Sequence, residues 1–231
     1  MTPARYAELA QLPLTLEAMH QADVTCRQLS ALAPLAPASE LAHYCFVVPE
    51  LGEGGACSLF GQLAEQPYDL RPILGGQKPA NDALLADLNA AVAFLSEQNG
   101  VDWLGIYRVA VNPDGEQVLV KLAYRGAPSR AEFPLTAAFA QVSNNATVGR
   151  SGHGRLINSV PAYVAGGGEY YTCDPQVAAE LCIPLYHPDG TVLGIIDAEA
   201  FQENFFDARQ LGAVVGLALW ASARLSIKKA A

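Results

Sequence analysis

Two acidic side chains stand close together in the segment TVLGIIDAEA at residues 191–200. This segment predicts a strand, and because side chains alternate between the faces of a strand, Asp197 and Glu199 share one face. The apolar Leu193 and Ile195 are expected on that same face. Removing carboxylates from water is costly unless they are paired or remain near water. Two acids in line therefore indicate either the floor of a polar pocket or a strand end that emerges into solvent.

Cys173 is the cysteine best suited to act as a nucleophile or a redox-active thiol. It stands in the polar, turn-like stretch YYTCDPQ, where an accessible thiol is expected. Cys182 lies in the apolar run LCIPL and is expected to be a small core residue. Glu180 precedes a predicted strand, so it is either directed into the same cavity as Cys173 or an ordinary surface acid.

Four further side chains are candidates for contacts with a ligand. Asp174 follows Cys173 directly along the chain. Trp103 and Tyr107 belong either to the core or to the wall of a pocket. The histidines have no metal-ligand spacing with one another or with cysteine, so no metal site is predicted. His153 is retained because it stands between glycines in a loop expected to cover the pocket.

The elements that must position these residues become regular after residue 80. The segment 81–99 has the apolar stripe of an amphipathic helix. Two hairpins are predicted, one turning at 112–115 and the other at 188–190. The stretch 126–168 between the hairpins has little periodicity and is expected to form loops with short helical turns. A last apolar helix begins near Asp207.

This order of elements predicts an α+β fold. An antiparallel sheet carries the N- and C-terminal helices of the domain on one face, and loops form a ligand pocket on the other. The domain is expected to span 81–231, and residues 1–80 form an N-terminal extension of unclear role. The extension contains a predicted helix from Pro3 to about Leu32 and a predicted strand within 43–50. The apolar stripe from Leu211 to Leu225 fits either the core or a homodimer interface.

Composition restricts the partners and the compartment. The chain has 231 residues, of which 51% are hydrophobic and 16% charged, so it is long and apolar enough to bury a core. Its formal net charge of −9 repels phosphate backbones and anionic lipid, so neither nucleic acid nor a membrane is an expected partner. Five irregularly spaced cysteines fit reduced thiols, and the N-terminal residues lack the pattern of a secretory signal. A soluble cytoplasmic protein that binds a small molecule is therefore expected.

Three segments resemble GAF domains, specifically those of the free methionine-(R)-sulfoxide reductases. They are DWLGIYRV at 102–109, YYTCDPQVAAELCIPL at 170–185 and GIIDAEA at 194–200. The likeness covers about residues 81–225. It implies a GAF fold and the reduction of a small free sulfoxide by thiol chemistry.

The resemblance also assigns roles to individual residues. It implies that Cys173 attacks the sulfoxide and that Glu180 binds or protonates the substrate. It further implies that Asp197 and Glu199 complete the acidic pocket, with Glu199 one methylene longer than the family's aspartate. Expulsion of the sulfoxide oxygen requires its protonation, and clustered carboxylates raise one another's pKa so that one keeps its proton. The resulting sulfenic acid on the cysteine is reduced by a second thiol through a disulfide.

The sequence departs from the family where resolving cysteines are expected. Arg130, in GAPSRAEFPL, and His153, in SGHG, stand in those places. Either Cys45 or Cys57 acts instead, or an external thiol reductant such as thioredoxin does, and no other cofactor is implied. The remaining alternative is a non-catalytic GAF module that binds a small amine-bearing metabolite for signalling or regulation.

Overall fold

The computed structural model describes four stretches of the chain, residues 1–32, 41–52, 58–170 and 174–226. Two of the cysteines expected to take part in thiol chemistry, Cys57 and Cys173, lie outside the described residues. Among the described helices, none combines the length and the apolar character that crossing a membrane requires.

The N-terminal segment begins with two helices, α1 (Pro3–Ala10) and α2 (Leu16–Ala31). The prediction of one helix from Pro3 to about Leu32 is therefore wrong. Gln11 adopts a left-handed conformation with φ of 51° at the end of α1, and Pro13 has no amide hydrogen to continue a helical ladder. Thr15 then caps α2 by accepting a hydrogen bond from the amide of Ala18 at 3.1 Å.

Short elements occupy the rest of the segment before the predicted domain. They are α3 (Leu41–Tyr44), β1 (Cys45–Phe46), β2 (Pro49–Leu51), β3 (Ser58–Leu63), β4 (Tyr68–Asp69) and α4 (Arg71–Leu74). The strand predicted within 43–50 is thus two short strands. β1 pairs with β4, and β2 pairs with β3 as an antiparallel hairpin.

The predicted domain has a long helix at each end of its described residues. Its elements are α5 (Pro79–Asn99), β5 (Trp103–Val111), β6 (Gln117–Arg125), β7 (Glu132–Pro134), α6 (Asn144–Ser151), β8 (Arg155–Ile157), α7 (Val160–Ala165), β9 (Ala179–Tyr186), β10 (Val192–Ala200) and α8 (Ala208–Leu225). The two predicted hairpins are confirmed as β5–β6 and β9–β10. The short helical turns expected over 126–168 are present as α6 and α7. The same stretch also holds the strands β7 and β8, which were not expected because three residues are too few for a periodic pattern to reveal.

These strands form one antiparallel sheet in the order β7-β6-β5-β10-β9-β8. Leu104, Ile106 and Ile196 point from its central strands into the main core, which α5 and α8 cover. Trp103, Tyr107 and Ile195 point to the opposite face and form a second apolar cluster with α6. The α+β architecture with both long helices on one face is confirmed.

Two local details differ from the expected pattern. A β-bulge between Val192 and Gly194 turns Leu193 toward the main core, so Leu193 does not share the face of Ile195. The sequence allows Asn81 or Asp82 to cap the helix expected over 81–99, but both lie inside the first turn of α5, which begins at Pro79. The buried side-chain amide of Asn81 instead donates hydrogen bonds to the carbonyl oxygens of Leu74, at 3.0 Å, and Gly76, at 2.8 Å.

The N-terminal helices share the core of the predicted domain. The phenol of Tyr6 on α1 is fully buried and donates a 2.6 Å hydrogen bond to the carbonyl oxygen of Pro184 on β9. α2 packs on α8 so closely that a Cβ added at Gly216 would lie 2.6 Å from the carbonyl oxygen of Ala22. The apolar stripe of α8 is therefore buried within the described chain, and the boundary at residue 80 stays a prediction.

This close contact predicts a strong effect of a larger side chain at Gly216. We expect Gly216→Val to lower the free energy of unfolding by about 3 kcal/mol, because the backbone of α2 must move away. Urea unfolding followed by circular dichroism measures this change. Ala223→Val, at an exposed position of the same helix, is the matched control and should cost less than about 1 kcal/mol. Equal losses in the two variants would show that α2 does not pack against Gly216.

Candidate functional site

A cavity of about 220 Å³ lies on the face of the sheet opposite α5 and α8. Six of the eight predicted site residues line it, namely Trp103, Tyr107, Asp174, Glu180, Asp197 and Glu199. The other lining residues come from α6, the loop 127–129, β7, the end of β10 and the β2–β3 hairpin. The predicted acids and aromatic residues are thus brought together around one space.

Of the remaining two predicted residues, His153 is not among the described lining residues. Nε2 of His153 lies 3.0 Å from the side-chain amide nitrogen of Gln11, next to α1. The loop expected to carry His153 over the pocket is instead the end of α6, where Gly152, with φ of 71°, terminates the helix. Cys173 lies outside the described residues. The nearest described residues on either side of it, Tyr170 and Asp174, both contact the site, because Tyr170 hydrogen-bonds to Glu180 and Asp174 lines the cavity.

Strand register explains why the buried Glu180 and Asp197 and the half-buried Glu199 meet. On β10, Asp197 and Glu199 are two positions apart and therefore share a face. Glu180 on β9 is paired directly with Glu199, and directly paired side chains have Cβ atoms only about 5 Å apart. Across the other edge of β10, Glu199 faces Trp103 and Asp197 faces Gly105 on β5.

The first turn of α6 holds two of these carboxylates. The side-chain amide of Asn144 donates to Glu180 Oε2 at 3.0 Å, and that of Asn145 donates to Asp197 Oδ2 at 2.8 Å. Ser143 caps the helix, since its Oγ accepts from the amide of Ala146 at 3.3 Å. The Ser143 cap determines the residue at which α6 begins. The start of the helix in turn positions Asn144 and Asn145 next to the acids.

Burial dominates the electrostatics of the cluster. The pKa of Glu180 is raised by burial, against the opposing effect of its hydrogen bonds from Tyr170 and Asn144. The pKa of Asp197 is raised well above its ordinary value by burial and by the negative charge of Glu180. The pKa of Glu199 is raised by burial, then by Asp197 and Glu180. The cluster therefore retains protons at a pH where exposed carboxyls have lost theirs.

Two buried oxygens at the cavity remain available for a ligand. Asp197 Oδ1 and Asn145 Oδ1 have no hydrogen-bond partner among the described residues, although their side chains are only 4% and 6% exposed. A buried polar atom without a partner is costly. Asn145 Oδ1 accepts a hydrogen bond, and Asp197 Oδ1 accepts one when ionised and donates one when protonated, so a ligand with hydrogen-bonding groups is favoured here. The described lining side chains include four acids and no lysine, arginine or histidine. This composition favours a ligand with an amine or another cationic donor.

The opposite wall is aromatic, and its geometry depends on glycines. The indole of Trp103 lies over Gly105, where an added Cβ would be 2.2 Å from a ring carbon. Gly126 makes a similar approach, with an added Cβ 2.5 Å from the same indole. Trp103 Nε1 also donates to the carbonyl oxygen of Ala127 at 3.0 Å. Together with Tyr107, this ring gives the cavity an apolar surface beside the acids.

The described thiols are not free nucleophiles at the cavity surface. Cys182 is fully buried beneath the acids, and burial together with the charges of Asp197 and Glu180 raises the pKa of its thiol well above the ordinary value. The expectation that Cys182 is a core residue is confirmed. Cys45, one candidate for a resolving thiol, lies on β1 opposite Asp69 and is not among the lining residues.

Sequence reasoning missed several lining residues. Asn144 and Asn145 follow Ser143 in the motif SNNAT, and a serine before a short helix is an available N-cap signal. Pro49 and Leu63, from the N-terminal extension, also line the cavity. Nothing in the local pattern of β2 and β3 predicts this long-range contact.

Comparisons with known proteins identify the fold through solved structures. No protein-family model matches the chain, and no curated protein matches it significantly. A type II free methionine-R-sulfoxide reductase from Thermoplasma acidophilum is similar in structure, with a TM-score of 0.53 and 18% identity over 63% of this chain and 94% of that chain. A protein described as a GAF sensor from Burkholderia vietnamiensis has a TM-score of 0.54 and 15% identity over 93% of each chain.

At these identities the likeness establishes the fold alone. The chain has a GAF fold. These two neighbours are a free methionine-R-sulfoxide reductase and a GAF sensor protein, so the shared fold does not distinguish between their functions. The match to the sensor protein covers 93% of this chain, which is about 215 of its 231 residues. The predicted domain at 81–231 has only 151 residues. The likeness to the sensor protein therefore includes residues before 81.

Proposed function

We propose that this protein binds a small amine-bearing sulfoxide of the free methionine-(R)-sulfoxide class and reduces it at Cys173. The observation that carries the proposal is the convergence of Glu180, Asp197 and Glu199 around one cavity. The cavity of about 220 Å³ is smaller than those that hold drug-sized ligands, which suits a molecule the size of one amino acid.

The raised pKa values of the acids supply the proton that the reaction needs. A protonated carboxyl of the cluster donates its proton to the sulfoxide oxygen as the thiolate attacks sulfur, which is general acid catalysis. An ionised carboxyl of the same cluster holds the ammonium group of the substrate. The apolar surface of Trp103 and Tyr107 accommodates the S-methyl end.

The chemical step is balanced without a further cofactor. The Cys173 sulfur takes the oxygen from the sulfoxide, so that the thiol becomes a sulfenic acid and the sulfoxide becomes a thioether. A first external thiol then condenses with the sulfenic acid to give a mixed disulfide and water, and a second thiol releases Cys173. An external reductant of this kind requires no resolving cysteine in the chain.

A turnover assay tests the proposal. The protein is incubated with dithiothreitol and free L-methionine-(R)-sulfoxide, and the methionine formed is measured by chromatography. We expect turnover of the R epimer and at least about tenfold less with N-acetyl-L-methionine-(R)-sulfoxide, which lacks the ammonium group. Absence of methionine with the free R epimer would contradict the proposal.

A second candidate function is a non-catalytic GAF module that binds a small amine-bearing metabolite. It is favoured by Arg130 and His153, which stand where the resemblance places resolving cysteines; Arg130 is buried with its guanidinium over the rings of Phe133 and Phe139. Calorimetry separates the two functions. Saturable binding of methionine sulfoxide with no methionine formed would support the module over the reductase.

A further inference from the structure

The β2–β3 hairpin of the N-terminal extension forms part of the wall of the cavity. Pro49 and Leu63 are directly paired across the hairpin, and both line the cavity together with Gly61. Leu63 is 54% exposed although it lines the cavity, so much of its apolar surface is available to a ligand. The hairpin is thus in direct contact with the space that the acids surround.

The base of the hairpin is fixed to the sheet of the GAF fold. Phe46 on β1 packs its ring edge-on against Tyr124 of β6, with ring centroids 5.7 Å apart. The ammonium group of the buried Lys121, also on β6, lies 5.0 Å from the centre of the Phe46 ring. β1, which carries Phe46, pairs with β4. Between this pair and the β2–β3 hairpin, the amide of Ala64 donates a 2.9 Å hydrogen bond to the carbonyl oxygen of Val48. These contacts connect the hairpin to Phe46 and so to β6.

The same lysine also holds the neighbouring wall of the cavity. Lys121 Nζ donates to the carbonyl oxygen of Ser129 at 2.7 Å and lies 2.8 Å from Ser129 Oγ, and Ser129 lines the cavity. The hairpin and the loop 127–129 are therefore attached to β6 at one point. A wall that is held in place in this way has a defined distance from the acids.

We propose that the β2–β3 hairpin is a specificity element of the binding site, with Leu63 as the side chain that selects the apolar group of the ligand. The identity of the ligand rests on the function proposed above. The acids and asparagines recognise the amine, and the apolar wall of Leu63, Pro49 and Trp103 limits the size of the S-alkyl group. A longer S-alkyl group is excluded by Leu63 and admitted when that side chain is shortened.

Leu63→Ala tests this role by substrate preference. We expect its KM for L-methionine-(R)-sulfoxide to rise about tenfold, as for the loss of a few buried methyl and methylene groups, while kcat stays within about twofold. The preference for ethionine sulfoxide over methionine sulfoxide, measured as a ratio of kcat/KM values, should rise about fivefold. Leu51→Ala is the matched control, because Leu51 lies on the same hairpin, is 44% exposed and is not a lining residue. An unchanged preference in Leu63→Ala would overturn the proposal.

A second measurement does not depend on the identity of the ligand. In a Trp220→Phe background, Trp103 is the remaining tryptophan, and acrylamide quenching of its fluorescence reports access to the cavity. We expect the quenching constant to rise about twofold in Leu63→Ala and to stay unchanged in Leu51→Ala. Equal quenching in both variants would overturn the proposal. Increased quenching in Leu63→Ala, without turnover of any sulfoxide by the unaltered protein, would support the hairpin wall and reject the reductase.

Discussion

Cys173→Ser should abolish the turnover of free methionine-(R)-sulfoxide, with a loss of at least about a thousandfold in kcat. A serine hydroxyl is a far weaker nucleophile than a thiolate near neutral pH. It also cannot form the sulfenic acid of the proposed reaction or the disulfide through which external thiols would reduce that acid. The measurement is methionine formation with dithiothreitol in excess. Binding of the sulfoxide, measured by calorimetry, should persist, because in the proposed function the acids and not the thiol hold the amine.

Cys26→Ser is the matched control for this loss. Cys26 lies on α2, and burial raises the pKa of its thiol above the ordinary value. Its replacement should leave kcat within about twofold. Turnover retained in Cys173→Ser, or lost equally in Cys26→Ser, would show that the reaction does not proceed through Cys173.

Asp197→Asn should lower turnover by about a hundredfold and stabilise the fold at neutral pH. The amide carries neither the negative charge nor the acidic proton of Asp197, but its oxygen still accepts from Asn145. In the native protein, burial and Glu180 raise the pKa of Asp197, so the native state binds more protons than the unfolded chain. Stability is then fully present below the unfolded pKa of about 4 and is lost as the pH rises through the higher native value.

We expect Asp197→Asn to remove this loss of folding stability at higher pH. At pH 8 its free energy of unfolding should exceed that of the unaltered protein by on the order of 1 kcal/mol, while near pH 4 the difference should vanish. Urea unfolding across this range measures it. Asp114→Asn, in the exposed turn between β5 and β6, is the control and should change neither stability nor turnover. A destabilised Asp197→Asn at pH 8 would contradict the proposed burial of charge.

The sequence predicted the parts of the site that local patterns control. The hairpins at 112–115 and 188–190 are short-range turns, and the alternation along β10 follows from strand geometry, so Asp197 and Glu199 fall on the expected face. The position of Glu180 opposite Glu199 is a consequence of the β9–β10 register. These contacts join residues that are near one another along the chain.

The missed contacts join residues far apart in sequence or lie in very short elements. The approach of Leu63 to the cavity depends on the packing of Phe46 against β6, which no periodicity encodes. α6 has only two turns, so its start at Asn144 depends on one capping serine and not on an apolar stripe. The prediction that His153 covers the pocket was wrong for the same reason. The end of α6, directly before His153, determines its position beside Gln11.

In the proposed function, Cys173 reacts with a sulfoxide held at the acidic cavity. A single-turnover experiment tests it most directly: reduced protein, freed of external thiol, is mixed with L-methionine-(R)-sulfoxide and dimedone, and peptides are analysed by mass spectrometry. We predict a dimedone adduct on Cys173 and about one methionine per protein chain in the unaltered protein, with both strongly reduced in Asp197→Asn. Neither methionine nor an adduct on Cys173 in the unaltered protein would contradict the account.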